Sequence, residues 1–207
     1  MSQVFRIHPV NPQQRLLAQA ADMIRGGQVI VYPTDSSYAL GCHLGDKAAL
    51  ERIRRIRRTE RDHDFTLVCR DLSEIASYAK VDNWAYRLLR SLTPGPYTFI
   101  LKATHEVPKR LQDPKRRSIG IRVPDHRIVN ALLDVLGEPI MSSTLLLPGD
   151  SAPLSDPDEI CDRVSPLVDL IIDGGATGIE PTTVVDLSEG RFDVIRKGKG
   201  DVSAFED

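Results

Sequence analysis

Apolar positions at helical spacing open the chain. Leu16, Leu17, Ala20, Ala21 and Ile24 share one face of a helix that Asn11-Pro12 starts and Gly26-Gly27 closes. The β-branched run at 28–32 then predicts a buried strand, ended by Pro33. Asp46 can cap a helix in which Ala49, Ile53 and Ile56 form the apolar stripe and the arginines take the other faces. Residues 65–69 read as a strand, Asp71 and Glu74 have capping-box spacing for the next helix, and 83–91 continue as another helix until Pro94. Strands are predicted at 97–102, 119–123 and 139–143, with a helix at 126–136 between the last two. Asp156-Pro157-Asp158-Glu159 is a helix start with acidic groups at the positive helix end, and late strands follow at 168–172, 182–187 and 192–195.

Helices and strands alternate irregularly, and several strands come in succession at the end. The pattern predicts an α/β (α+β) fold around a mixed sheet rather than a regular doubly wound one. With no internal repeat, low-complexity linker or composition break, the expectation is a single domain over 1–207 with its core at about 11–200. At 207 residues, 41% hydrophobic and 27% charged, the composition is that of a globular protein with one substantial core. No apolar stretch approaches the roughly 20 residues of a membrane span, and MSQVFRIHPV has no secretory pattern. Cys42, Cys69 and Cys161 are widely spaced with no CxxC pair, which argues against a disulfide scaffold or a Cys-rich zinc site. The expected location is the reducing cytoplasm, with no membrane partner.

The net charge of -2 conceals a strong asymmetry. Residues 45–127 hold 19 Lys/Arg against 11 Asp/Glu, whereas 128–191 hold 2 against 12. The basic excess gathers in two runs, Arg52, Arg54, Arg55, Arg57, Arg58 and Arg61, then Lys109, Arg110, Lys115, Arg116 and Arg117. Brought together by the fold, they would concentrate a polyanion such as a nucleotide or RNA; left apart, they are a solvated helix face and a basic loop. Neither run carries interleaved aromatics for base stacking.

Several familiar sites are missing from the sequence: no GxxxxGK[ST] loop, no GxSxG elbow and no HExxH spacing. The glycines after Asp173 lead toward another strand instead of a helix, so they make no dinucleotide fingerprint. Candidate chemistry lies in polar segments directly after strands. Pro33-Thr34-Asp35-Ser36-Ser37-Tyr38 presents hydroxyls beside one carboxylate, either as a site or as a self-satisfied turn. Pro94-Gly95-Pro96-Tyr97-Thr98 reads as an architectural turn. Arg122, in an otherwise apolar strand, needs an anionic or carbonyl partner, which is either a ligand carboxylate or an internal acid. Ser142, Ser143 and Thr144 end a strand with hydroxyls able to hold phosphate oxygens. Arg196-Lys197-Gly198-Lys199-Gly200 is a basic segment that either closes over an anion or trails in solvent.

In order along the chain, these segments resemble the YrdC/YciO family, and most closely its YciO branch. PTDSSYAL (33–40) is similar to the family's PTDTVYGL, LTPGPYTFIL (92–101) to WPGPLTLIL, and IGIRVPDH (119–126) to VRxPxH. PTTVVD (181–186) resembles STVVD, and VIRKG (194–198) the closing RxG. The resemblance implies a twisted mixed sheet with flanking helices around a positively charged concave cleft. It implies threonylcarbamoyl-AMP synthesis from threonine, bicarbonate and ATP, with Mg²⁺ accompanying ATP and no tightly bound cofactor. The product would serve tRNA modification. Other members of the family bind double-stranded or structured RNA, which is the alternative expectation.

Carried over by position, the resemblance makes Ser36, Tyr38, Arg122, Ser142 and Thr182 substrate-binding residues, with Arg122 holding the threonine carboxylate. Arg57, Ser118, Thr144 and Arg196 are expected at the nucleotide, and Arg57, Arg61 and Thr144 in catalysis. Arg54, Arg57, Arg58, Lys115 and Arg116 are expected to contact RNA. The chain departs from the family pattern at three places. Arg57, with Arg58 or Arg61, stands where the family has a KxR pair, Leu146 stands at its asparagine, and Cys69 at a frequent histidine.

Overall fold

The computed structural model describes residues 2–59 and 65–205. The candidate catalytic residue Arg61 lies outside them. The first half of the chain runs β1 (Gln3–Arg6), α1 (Gln14–Arg25), β2 (Ile30–Tyr32), β3 (Ala39–His43), α2 (Lys47–Arg57), β4 (Thr66–Val68), α3 (Leu72–Tyr78), α4 (Asn83–Leu92) and β5 (Tyr97–Lys102). The second half continues with β6 (Ser118–Arg122), α5 (Arg127–Leu136), β7 (Ile140–Thr144), α6 (Pro157–Val164), β8 (Leu170–Asp173), β9 (Thr183–Asp186) and β10 (Asp193–Arg196).

The caps explain where most helices begin. Asp46, Asp71 and Asp82 each accept a backbone N–H three residues on, and Asp156 takes those of both Asp158 and Glu159. The first helix departs from expectation: it starts at Gln14 rather than at Pro12, and Gln13 gives it no side-chain cap. Its end is as expected, with Gly26 at the C-cap and Gly27 at φ 82.

Among the described residues, ten strands form one mixed sheet in the order β1-β8-β2-β3-β7-β4-β6-β5-β9-β10. The pairs β1–β8, β8–β2, β4–β6 and β5–β9 are parallel and the others antiparallel. Two of these strands are absent from the sequence expectation. β1 buries only Phe5, so it carries no alternating signal. β3 is a small-residue run, Ala39-Leu40-Gly41-Cys42-His43, held as a strand by β2 on one side and β7 on the other.

The two faces of the sheet have different fates. One is covered by α2, α3, α4 and α6, whose Leu50, Ile53, Ile75, Leu89 and Ile160 pack with Leu67, Phe99, Ile121, Met141 and Val185 of the strands. The other is covered at one end, over β1, β8, β2 and β3 and at Ile140 of β7 and Val68 of β4, where Leu17, Ala21, Ile24, Val129 and Leu133 of α1 and α5 meet Ile30, Tyr32, Leu170 and Ile172. Beyond that helix pair the same face changes from apolar to polar. Register places Thr66 beside both Ser142 and Gly120, Val68 beside Arg122, and Thr98 beside Val184. Side chains alternate between faces along a strand. So Thr66, Thr98, Ser118, Arg122 and Ser142 rise from the side of the sheet that α1 and α5 leave bare.

Candidate functional site

That bare stretch is the floor of a cavity of about 870 Å³. Four segments separated in sequence each contribute an arginine to its lining: Arg57 from the last turn of α2, Arg116 from the loop before β6, Arg122 from β6 and Arg196 from β10. Against these, Asp113 is the one carboxylate in the lining among the described residues. The hydroxyl residues Thr34, Ser36, Ser37, Thr66, Thr98, Ser118, Ser142, Ser143, Thr144 and Thr182 also belong to its lining. The cavity is thus cationic at several points and rich in neutral donors and acceptors, a composition suited to phosphate oxygens and a small polar ligand.

Each cation is fixed differently. Arg57 Nη1 donates to Ser143 Oγ (2.6 Å) and Nε to the Leu146 carbonyl (3.3 Å), and burial lowers its pKa. Arg196 donates from Nε and Nη2 to the Thr182 carbonyl (3.2 and 2.9 Å) and from Nη2 to Thr182 Oγ1 (3.3 Å), and burial lowers its pKa too. Thr182 Oγ1 also shares a hydrogen bond with Thr98 Oγ1 (2.8 Å). Arg116 Nη1 donates to Asp186 Oδ2 (2.8 Å), and Asp186 is buried at the end of β9. Ser142 Oγ pairs with Tyr32 Oη (2.7 Å), whose phenol is fully buried and pushed up to about 12 by desolvation.

Arg122 requires a correction. Expected to await a substrate carboxylate, its guanidinium is bonded to Asp35 through Nη2 and to Ser36 Oγ through Nη1 (3.1 Å). Asp35 Oδ2 also accepts the Asp125 N–H (2.9 Å), and the Asp35 carbonyl accepts Lys199 Nζ. Of the two readings open in the sequence, the internal acid is the one the fold uses. The pair ties β6 to the 34–37 turn, where Thr34 Oγ1 accepts the N–H groups of Ser36 and Ser37 and donates to the Ser37 carbonyl. Arg122 therefore acts as a brace for the hydroxyl turn.

Tyr38 is also corrected: its ring is fully buried in the core and is no part of the lining. Its Oη donates to the Gly175 carbonyl (2.8 Å) and accepts the Gly174 N–H (3.2 Å), and burial raises it to about 12. Arg54, expected on an RNA surface, keeps a side chain only 13% exposed, bonded to Glu51 (2.5 Å) and lying over the Phe65 ring. Ser36, Arg57, Ser118, Ser142, Thr144, Thr182 and Arg196 do share the cavity, while the exposed Arg58 and Lys115 lie outside its lining, each next in sequence to an arginine within it. Sequence reasoning missed Thr66 and Thr98 and gave Arg116 only to RNA. The signal for the threonines was the polar–apolar alternation of Thr66-Leu67 and Thr98-Phe99 inside predicted strands.

Comparison with known proteins settles the lineage. The family model Sua5_yciO_yrdC, described as telomere recombination, matches residues 22–198. The chain belongs to the Sua5/YciO/YrdC family. It is 58% identical to the Escherichia coli K12 protein YciO over 205 residues, 99% of this chain and 100% of that one. The crystal structure of E. coli YciO superposes with a TM-score of 0.95, covering both chains completely. Mouse threonylcarbamoyl-AMP synthase is 32% identical over 190 residues, 88% of this chain and 66% of that protein. The Pyrococcus abyssi Sua5 structure complexed with L-threonine shares the fold at a TM-score of 0.87 and 24% identity, covering 95% of this chain and 58% of that one. Among the described residues no helix is long and apolar enough to cross a membrane, and no group of three His, Cys, Asp or Glu side chains could hold a metal ion.

Proposed function

We propose that the cavity binds ATP together with a small amino acid and joins them as an acyl-adenylate, with threonine and bicarbonate as the co-substrates. The observation that carries this reading is the convergence of Arg57, Arg116 and Arg196, from three separate segments, on one hydroxyl-lined floor. The names of the synthase relatives supply the product, threonylcarbamoyl-AMP. In the reaction, the threonine amine first attacks the carbon of bicarbonate, and water leaves as the C–N bond forms, giving the N-carboxylate (carbamate). A carbamate oxygen then attacks the α-phosphorus of ATP, and pyrophosphate leaves as the new P–O bond forms. Arg57 and Arg196 oppose the phosphate charge, Ser142 to Thr144 supply hydroxyls, and the Ser36 turn braced by Arg122 positions the amino acid. Magnesium would arrive with the triphosphate, as part of that substrate.

Pyrophosphate release from ATP, with bicarbonate and each amino acid in turn, tests the proposal. Release that requires threonine is the expected result, and a Leu146→Asn variant, which restores a hydrogen-bonding side chain on the wall, should release it faster. No release above blank with any amino acid would overturn it. A second reading, recognition of tRNA or double-stranded RNA by its backbone, is favoured by one observation. Each basic run places one arginine, Arg57 or Arg116, in the cavity lining, with an exposed cation, Arg58 or Lys115, next to it in sequence.

A further inference from the structure

Gly120 lies at the centre of β6, within the interior of the sheet, and its φ is outside the left-handed region. Glycine weakens a strand there, so its presence calls for a reason other than backbone conformation. Other glycines of this chain have a packing reason. A Cβ on Gly41 would come within 2.8 Å of both Tyr32 and Ile140, and one on Gly198 within 2.3 Å of the Pro181 carbonyl. At Gly120 the nearest atoms are Thr66 Oγ1 and Thr98 Cγ2, both at 3.3 Å and both side-chain atoms of the cavity lining. A methyl group would need a shift of only a few tenths of an ångström from them, and it would stand on the cavity floor.

The register shows what surrounds that gap. One row across the floor runs Ser142, Thr66, Gly120, Ile100: two hydroxyls, bare backbone, then an aliphatic side chain. The cations stand elsewhere, Arg122 one row along, Arg196 beyond β9 on the edge strand, and Arg57 near the end of β7. Phosphates would be drawn to the arginines, leaving the hydroxyl-flanked gap for a part of the ligand that carries no phosphate. We infer that Gly120 is a specificity-determining residue, whose bare backbone lets the organic part of a substrate, nucleoside or amino acid, lie directly against the sheet. This rests on the function proposed above.

The test is calorimetric titration of ATP, threonine and inorganic tripolyphosphate into the wild type, Gly120→Ala, and Gly120→Ala combined with Thr98→Ser. The last change removes the crowding methyl of Thr98 and keeps its hydroxyl. The expected result is that both variants lose about tenfold or more in affinity for ATP or for threonine, and hold tripolyphosphate within about twofold of wild type. Loss confined to ATP places the nucleoside over Gly120, and loss confined to threonine places the amino acid there. Unchanged affinity for both organic ligands overturns the inference while leaving the proposed function standing. Equal loss of tripolyphosphate, or recovery of full affinity in the double variant, also overturns it, since either points to local packing. A wild type that binds neither ATP nor threonine overturns the proposed function and this inference with it.

Discussion

With only 8% of its surface exposed, Arg122 has to find its counter-charge inside the protein. Asp35 supplies it, and both side chains are about nine-tenths buried. Breaking such a pair from either side leaves one charge buried alone, at a cost of about 3 kcal/mol. Arg122→Ala and Asp35→Asn should therefore lower stability together, and the double variant should cost much less than the sum. Threonine affinity, read by calorimetry, should fall in both. A carboxylate clamp behaves differently: Asp35→Asn would then free the guanidinium and preserve or raise threonine affinity. The tyrosines give a pH signature. The phenols of Tyr32 and Tyr38, whose ordinary pKa is 10.0, are raised to about 12 in the fold by burial. Their stabilisation is thus fully present below pH 10 and is lost as pH rises toward 12. Denaturation midpoints should drop across that window, and less steeply in Tyr32→Phe. At this scale the sequence left Arg122 undecided, because a charged residue in an apolar strand says that a partner exists and not which one. Tyr38 was misplaced because its position in a motif gives no direction for the ring.

The elements were more legible. Acidic caps announced α2, α3 and α6, and apolar runs bounded by turn residues announced β5 and β6. β3 was hidden, since its alanine, glycine and cysteine have little strand preference of their own and pairing on both sides holds it. α6 offers a local check. Asp156 accepts two backbone N–H groups at 3.0 Å each, and Asp156→Ala should cost about 1 kcal/mol in urea unfolding. The helix covers the face of the sheet opposite the cavity, so ATP affinity should stay unchanged in that variant. A matching loss of ATP affinity would mean that the two faces are coupled. The site itself was half legible: strand-end hydroxyls and Arg196 could be nominated, whereas Arg116, on the loop before β6, became a cavity residue only through the tertiary fold.

On the scale of the whole molecule, the cavity exists because α1 and α5 cover only one end of a ten-strand sheet face while α2, α3, α4 and α6 cover the other face. No linear pattern encodes that coverage, and no linear pattern brings Arg57 of α2 to the same opening as Arg116 and Arg196. If RNA also docks at this opening, its affinity should fall steeply with salt, and replacing Arg58 and Lys115 with alanine should reduce the slope of log affinity against log salt by about 1 to 2. An unchanged slope would remove RNA from the site. The most direct test of the account is titration of ATP into the wild type and into an Arg57→Ala/Arg196→Ala variant that still unfolds cooperatively. One ATP should bind per wild-type chain, with affinity reduced about a hundredfold or more in the variant. Equal affinity in the two proteins would place the nucleotide outside the cavity and contradict the account.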